Sequence, residues 1–344
     1  AGRAGGRGAG ARGGTRGGRA VKDLDERMAN LTPEKRRLLE LLGRRDAAAK
    51  SARAPKAAVP STPEASASSA PARIVEDRYF SLEPGVFPDK GDVQGLYNMV
   101  TAQLGATEFG SHSVFLNWGY VPNHLPSFSA VELPEIHLNK NATRLVLEVI
   151  ADTPLSPRDR VLDVACGRGG TISVFRDFFE VGRAVGLDLS AAAVAFCTSR
   201  HGDSETFFVH GDSERLPFED GSMTVVTNLE SSHCYPDIRS FYREVYRVLE
   251  PGGHFCYTDV WPVVRMRELE EALRETGFEL LRRRDITSNV LLSCDDIAGK
   301  NARLFTGNSQ DIMGNFLAVP GSRLYNGMEN GAQIYLLFQW RKPL

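Results

Sequence analysis

Ten residues, V-L-D-V-A-C-G-R-G-G at 161–170, constrain this chain more than any other stretch. A short apolar strand runs into a glycine turn, and a helical pattern follows. From Arg160 onward the same rhythm repeats. Strands are read at Arg160–Ala165, Ala184–Leu189, Thr206–His210, Met223–Leu229 and Gly253–Val260, with helices such as Ser190–His201 and Asp237–Leu249 between them. Alternation of this kind requires a parallel sheet with helices on both faces, an α/β Rossmann-like architecture. Ligands of open α/β sheets bind at the carboxyl ends of the strands. Gly167 and Gly169 lie at that edge and let a ligand approach the backbone with no Cβ in the way. The tail departs from the rhythm: Val264–Thr276 reads as helix, Phe278–Thr287 as extended, Cys294–Leu304 as helix and Gln333–Trp340 as a last strand.

A glycine turn after the first strand is shared with dinucleotide-binding folds, so the acids around it decide. Asp163 precedes the glycines, where a carboxylate repels a pyrophosphate but suits a cationic amino-acid ligand. Asp188 ends the second strand, where a carboxylate can hold two ribose hydroxyls. Asp212 follows the third strand in H-G-D-S-E-R-L-P-F, within reach of an adenine amino group. One acid per strand end outlines an adenosine-bearing ligand without phosphate. Leu189 and Ser213, beside these acids, and Asn228, at the end of the fourth strand, complete the expected cofactor wall.

These motifs resemble the class I S-adenosylmethionine-dependent methyltransferases over residues ~140–262. Asp163, Gly167 and Gly169 match that family's first motif, Asp188 its ribose acid and Asp212 its adenine-side acid. L-E-P-G-G at 249–253 matches its turn before the fifth strand. The resemblance implies a seven-stranded sheet whose last strand is antiparallel. It also implies S-adenosylmethionine as cofactor, with S-adenosylhomocysteine as product.

After the fourth strand, N-L-E-S-S-H-C-Y-P-D at 228–237 lies at the mouth of the sheet. A free alcohol is too weak an acid to ionise near neutrality, so methyl transfer to oxygen needs a base. An imidazole of ordinary pKa ~6.5 is suited to that task. His233 is therefore the expected base. Glu230, three residues earlier, is its expected carboxylate partner, with Asp259 at the end of the fifth strand as the competitor.

That loop, the R-E-V-Y-R-V-L-E-P-G-G stretch and F-L-N-W-G-Y at 115–120 resemble two related groups. One is the phthiotriol dimycocerosate O-methyltransferases. The other is the O-methyltransferase domains embedded in modular polyketide synthases, such as the stigmatellin and curacin assembly lines. The similarity extends over residues 95–344, including Asn308, Ser309 and Gln310. It implies methylation of a hydroxyl, in particular a β-hydroxyl, on a polyketide chain carried by an acyl carrier protein, beside neighbouring synthase domains. It also implies a lid, with Trp118 and Tyr120 walling the acceptor site. The competing readings are a methyltransferase for a free small molecule and a methyltransferase-fold module that only binds.

The net charge of −2 hides a division: residues 1–75 carry a net +9 and the remainder −11. Residues 1–20 are almost wholly Gly, Ala and Arg, and 46–72 are rich in Ala, Ser and Pro, so 1–75 reads as a disordered linker with one short helix at 31–45. An opening without Met fits a domain cut from a longer polypeptide. Residues 76–150 read as a lid and substrate segment, and 151–344 as the cofactor-binding core with a lid insertion near 285–330. The acidic remainder shows no basic face for nucleic acid. No apolar run approaches the ~20 residues of a membrane span. Five scattered cysteines form no CxxC pair, which fits a reducing, cytoplasmic setting. No acid or histidine cluster has metal-ligand spacing, so no metal is expected.

Overall fold

The computed structural model describes residues 89–106, 110, 112–123, 131–134, 137, 139–301 and 316–344. The 1–75 linker with its 31–45 helix and the 308–310 motif lie outside the described residues.

Among the described residues, two helices precede the sheet, α1 (Lys90–Gly105) and α2 (Lys140–Ile150). Then follow β1 (Arg160–Val164), α3 (Gly170–Phe178), β2 (Arg183–Asp188), α4 (Ala191–His201), β3 (Thr206–His210), β4 (Met223–Leu229), α5 (Ile238–Val248) and β5 (Leu249–Pro262). The tail adds α6 (Met266–Thr276), β6 (Glu279–Asp285), α7 (Thr287–Asn301), α8 (Arg323–Glu329) and β7 (Gln333–Arg341). The strands form one sheet in the order β3-β2-β1-β4-β5-β7-β6. β1 to β5 are parallel, whereas β7 runs antiparallel to both β5 and β6. This is the seven-stranded, mostly parallel Rossmann-like sheet expected from the sequence.

Alternation along the strands divides the core into two layers. Leu162, Val164 and Val226 join Phe241, Val245, Leu269 and Leu273 on one face of the sheet. Val161, Val225 and Leu337 join Val146, Ile172, Phe175 and Val290 on the other. Helix starts follow from local chemistry. Ser190 caps α4 by accepting from the Ala193 N–H at 3.1 Å, and Asp237 caps α5 by accepting from Ser240 at 3.0 Å.

The tail differs from its sequence reading in one helix. Helix α7 begins at Thr287 rather than Cys294, because Asp285 accepts from both the backbone and the hydroxyl of Thr287 and turns the chain out of β6. Its inward side mixes the buried polar residues Asn289 and Ser293 with the buried apolar Val290 and Cys294. The two polar side chains have work of their own. Asn289 donates to the Val121 carbonyl at 2.9 Å and Ser293 to the Trp118 carbonyl at 2.6 Å, which fixes the 118–121 backbone over the sheet. The short α8 was not anticipated.

Candidate active site

The carboxyl ends of β1, β2, β3 and β4 open into a cavity lined by residues from all four strand ends and from the segment before the sheet. The glycine turn after β1 forms its floor. Gly167 has φ +53 and lines the cavity. A Cβ there would come within 3.1 Å of Leu116, which closes the opposite wall. Gly169 does not touch the cavity. Its φ is +81, and a Cβ would meet the His201 ring at 2.8 Å and Cys197 at 3.2 Å, so it is needed for the turn and for packing, not for ligand contact.

Three acids surround this floor. Asp188 accepts from the Gly167 N–H and from the Ser190 N–H, each at 2.8 Å. Each oxygen spends one lone pair on the backbone and retains one for a ligand hydroxyl. Burial pushes its carboxyl up to about 6, against the pull of those two donors. Asp163 is 2% exposed, and burial pushes it up to about 7, with Thr227 and Thr171 as opposing hydroxyl donors. A buried acid held only by neutral hydroxyls and facing a cavity fits a cationic ligand group. Asp212 is different: the Lys90 ammonium donates to it at 2.7 Å and is also bound to Glu214. Leu189 and Ser213 complete this wall.

Asn228 does not line the cavity. Its amide donates to Val164 O, Ser231 Oγ and Tyr235 Oη at 2.8–3.0 Å, which locks the β4 loop against β1. Tyr120 is fully buried in the core, with its hydroxyl against Arg284, and so cannot wall an acceptor. Trp118 does line the cavity. Its indole N–H donates to the Phe316 carbonyl at 2.8 Å, and its ring meets Tyr335 edge-on at 5.8 Å.

His233 stands on a single 3₁₀ turn, Ser232–Cys234, and lines the same cavity. Its Nδ1 lies 2.6 Å from Asp259 Oδ1, not against Glu230. Asp259, 1% exposed, also accepts from the His233 and Val260 backbone N–H groups. Burial alone would lower the imidazole's pKa, but the Asp259 charge and hydrogen bond, joined by Cys234, raise it well above the ordinary histidine value. Glu230 is committed elsewhere. Its carboxyl accepts from the Trp118 backbone N–H at 3.0 Å and from the Tyr335 hydroxyl at 2.5 Å, and burial pushes it up to about 8. A left-handed backbone, φ +51, turns it toward Trp118 and Tyr335 rather than the histidine. Such strain in a non-glycine residue persists only where its surroundings enforce it.

Two further contributors were not anticipated. Lys90, Gln94 and Asn98 recur every four residues on α1 and reach Asp212, the Leu189 carbonyl and Ser190 Oγ. That spacing of four was visible, but it marks a polar stripe that looks like an ordinary solvated face. Arg168, inside the glycine turn, is 1% exposed; it donates to Ser113, Thr101 and Gly110 carbonyls and lies 3.6 Å over the Phe196 ring. It staples the segment before the core onto the cofactor floor.

A methyltransferase domain family model matches residues 162–257. The phthiotriol/phenolphthiotriol dimycocerosates methyltransferase of Mycobacterium tuberculosis is 34% identical over 256 residues, covering 72% of this chain and 90% of the relative. A fatty-acid O-methyltransferase of Mycolicibacterium smegmatis is 38% identical over 178 residues, 52% of this chain and 64% of the relative. Among solved structures, the [4+2]-cyclase SpnF aligns with TM-score 0.61 at 24% identity, over 75% of this chain and 97% of that one. Geranyl diphosphate C-methyltransferase from Streptomyces coelicolor, in complex with S-adenosyl-L-homocysteine, aligns with TM-score 0.56 at 20% identity, over 76% of this chain and all of that one. The chain belongs to the class I S-adenosylmethionine-dependent methyltransferases. S-adenosylmethionine is its cofactor, and the cavity's residues fit it: Asp188 for the ribose, Asp163 for the amino-acid cation and Gly167 for close approach.

Proposed function

We propose that this methyltransferase transfers a methyl group to a hydroxyl, in particular a β-hydroxyl, of an uncharged acyl chain borne by an acyl carrier protein. One observation carries the reading: a histidine–aspartate pair, 2.6 Å apart, opens onto the cavity whose floor holds the cofactor acids. With Nδ1–H donated to Asp259, the neutral imidazole carries its lone pair on Nε2, the nitrogen turned away from that carboxylate. The bound cofactor supplies an electrophilic methyl on a sulfonium. His233 would take the acceptor's proton as the methyl–sulfur bond breaks and the new C–O bond forms, leaving S-adenosylhomocysteine, and Asp259 would stabilise the imidazolium that results. Trp118, Leu116 and Phe115 cover the cavity and restrict water.

The charges of the cavity favour a neutral acceptor. Among the described residues that line it, Lys90 is bound to Asp212 and Glu214, and Arg168 to three carbonyls, so neither is offered to an anionic substrate. Asp188, pushed up only to about 6, remains ionised near neutrality and would repel a carboxylate or a phosphate. The apolar wall, with Val93, Tyr97, Val114 and Phe316, suits an acyl chain. Support for a carrier-bound acceptor comes from the resemblance to assembly-line domains and from the Gly/Ala/Pro-rich sequence of residues 1–75, a composition that serves as a tether and raises local concentration.

The test is mass spectrometry with S-adenosylmethionine and a panel of acceptors: a β-hydroxyacyl carrier protein, a detached hydroxyacyl thioester, a free fatty acid and a prenyl diphosphate. A one-methyl gain on the carrier-bound hydroxyacyl chain, with slower turnover of the detached thioester, is expected. Equal turnover of the detached compound would favour a free small-molecule substrate. Preference for the acid or the diphosphate would overturn the neutral-acceptor reading, and no cofactor binding by calorimetry would favour a binding module.

A further inference from the structure

Behind the histidine–aspartate pair lies a buried line of hydroxyls. Ser232 Oγ is 2.5 Å from Asp259 Oδ2 and 2.6 Å from the Tyr257 hydroxyl. The Tyr257 hydroxyl is in turn 3.3 Å from that of Tyr242 on α5. Ser232 and Tyr242 are 0% exposed and Tyr257 1%.

The proton directions in this line are forced. An ionised carboxylate only accepts, so Ser232 must give its single hydroxyl proton to Asp259. Ser232 can then only accept from Tyr257, and Tyr257, its proton spent, can only accept from Tyr242. All three O–H dipoles point the same way, toward the carboxylate. Hydrogen bonds aligned head to tail in a low-dielectric interior polarise one another.

Packing does not explain these hydroxyls. The Tyr257 ring stacks on Phe255 and Phe338 at 5.1 and 6.0 Å, in a layer where a phenylalanine would fill the same space. A buried phenol with no use for its oxygen carries a desolvation cost that phenylalanine avoids. Instead, the Tyr257 oxygen meets Ser232 beside His233, and the Tyr242 oxygen meets that of Tyr257.

We propose that Ser232, Tyr257 and Tyr242 are positioning residues, a one-way hydroxyl chain that holds Asp259 in register with His233 and sets the basicity of the imidazole. This rests on the reading of His233 as the base. By drawing charge from Asp259, the chain weakens the carboxylate's grip on the imidazolium, so His233 gives up its proton at a lower pH than beside a bare carboxylate. The last link, at 3.3 Å, is long for an O–H···O bond, so influence falls from Ser232 through Tyr257 to Tyr242.

Other charged or titratable groups face the same pair. Glu230 and Cys234 act on His233 from the β4 loop. Tyr335 faces Asp259 from β7, and Arg265 and Glu268 act on Tyr242 from the turn into α6. Because the Glu230 carboxyl is pushed up to about 8, a rate profile alone would mix two titrations.

The experiment therefore combines kcat–pH profiles with an NMR titration of the His233 imidazole, in full-length wild type, S232A, Y257F, S232T and H233A. S232A is expected to move the His233 titration and the acid limb of kcat upward by about one pH unit, and Y257F by about half a unit. S232A is expected to lower kcat about tenfold with cofactor affinity unchanged, and S232T, which keeps the hydroxyl, to restore most of both. If H233A is inactive while S232A and Y257F titrate like wild type, the hydroxyl chain is refuted and the base stands. If H233A keeps wild-type turnover, the base and the chain fall together.

Discussion

The cofactor half of the cavity and the acceptor half are built by opposite means. At the lips of β1 and β2, Asp163, Gly167 and Asp188 lie within 25 positions of one another and hold their places through backbone N–H groups and neighbouring hydroxyls. At the lips of β4 and β5, His233 depends on Asp259 from the next strand, while Glu230 depends on Trp118 and on Tyr335 from β7. The first half is a local turn repeated along a sheet. The second is assembled from parts far apart in the chain, and its carboxylates hold different partners: Asp259 the imidazole, and Glu230 the Trp118 backbone and the Tyr335 hydroxyl. Substitutions in one half should therefore affect binding, and those in the other should affect turnover.

The sharpest separation is expected from H233A. Loss of a positioned base should lower kcat about 10²- to 10⁴-fold while calorimetry shows cofactor binding within about twofold of wild type. A parallel loss of binding would show that the halves are not separable. D259N should follow, with kcat about 100-fold lower, against less than tenfold for E230Q. Steady-state kinetics giving the reverse order would return Glu230 to the imidazole.

On the cofactor side, D188A should weaken S-adenosylhomocysteine about 30-fold by loss of charge-assisted hydrogen bonds. Turnover at saturating cofactor should stay within a few-fold of wild type; a collapse of kcat at saturation would contradict this. D163N is informative through pH. The carboxyls of Asp163, Asp188 and Glu230 are raised to about 7, 6 and 8, above their unfolded values. Such groups contribute stability that is fully present below about pH 4 and lost as pH rises through those folded values. Without cofactor, the melting temperature should fall between pH 5 and pH 8. D163N removes one such term, so it should melt about 3 °C higher than wild type at pH 8 while binding cofactor about tenfold more weakly. Differential scanning calorimetry showing D163N less stable at pH 8 would refute the burial penalty. The smallest effect is expected from K90M. Its ion pair with Asp212 is about a third exposed and screened by solvent, so cofactor affinity should change no more than about threefold and lose its salt dependence.

Legibility in the sequence followed the same division. The alternating strands and the glycine turn were readable because each is a local pattern with a local cause, and the acids at 163, 188 and 212 fall at strand ends that line the cavity. His233 was readable from its loop. Its partner was misread because proximity in sequence favoured Glu230, whereas β4–β5 pairing and a left-handed Glu230 bring Asp259 to the ring. Asn228 and Tyr120 sit next to cavity residues in sequence but point into the core, a matter of side-chain direction that composition does not disclose. The start of helix α7 was misread because its first turns mix buried Asn289 and Ser293 with Val290, so the apolar pattern there is interrupted. Arg168 resembled any variable residue in a glycine turn, because its carbonyl partners lie more than 50 positions away.

The most direct measurement is a crystal structure of the protein with S-adenosylhomocysteine and a non-transferable hydroxyacyl analogue. The ribose is expected on Asp188, the amino-acid cation at Asp163, and the analogue's hydroxyl between the sulfur and Nε2 of His233, with Nδ1 still on Asp259. A nucleoside bound away from those acids, or a hydroxyl lying nearer Glu230 than His233, would contradict a cavity that joins the two halves at the imidazole.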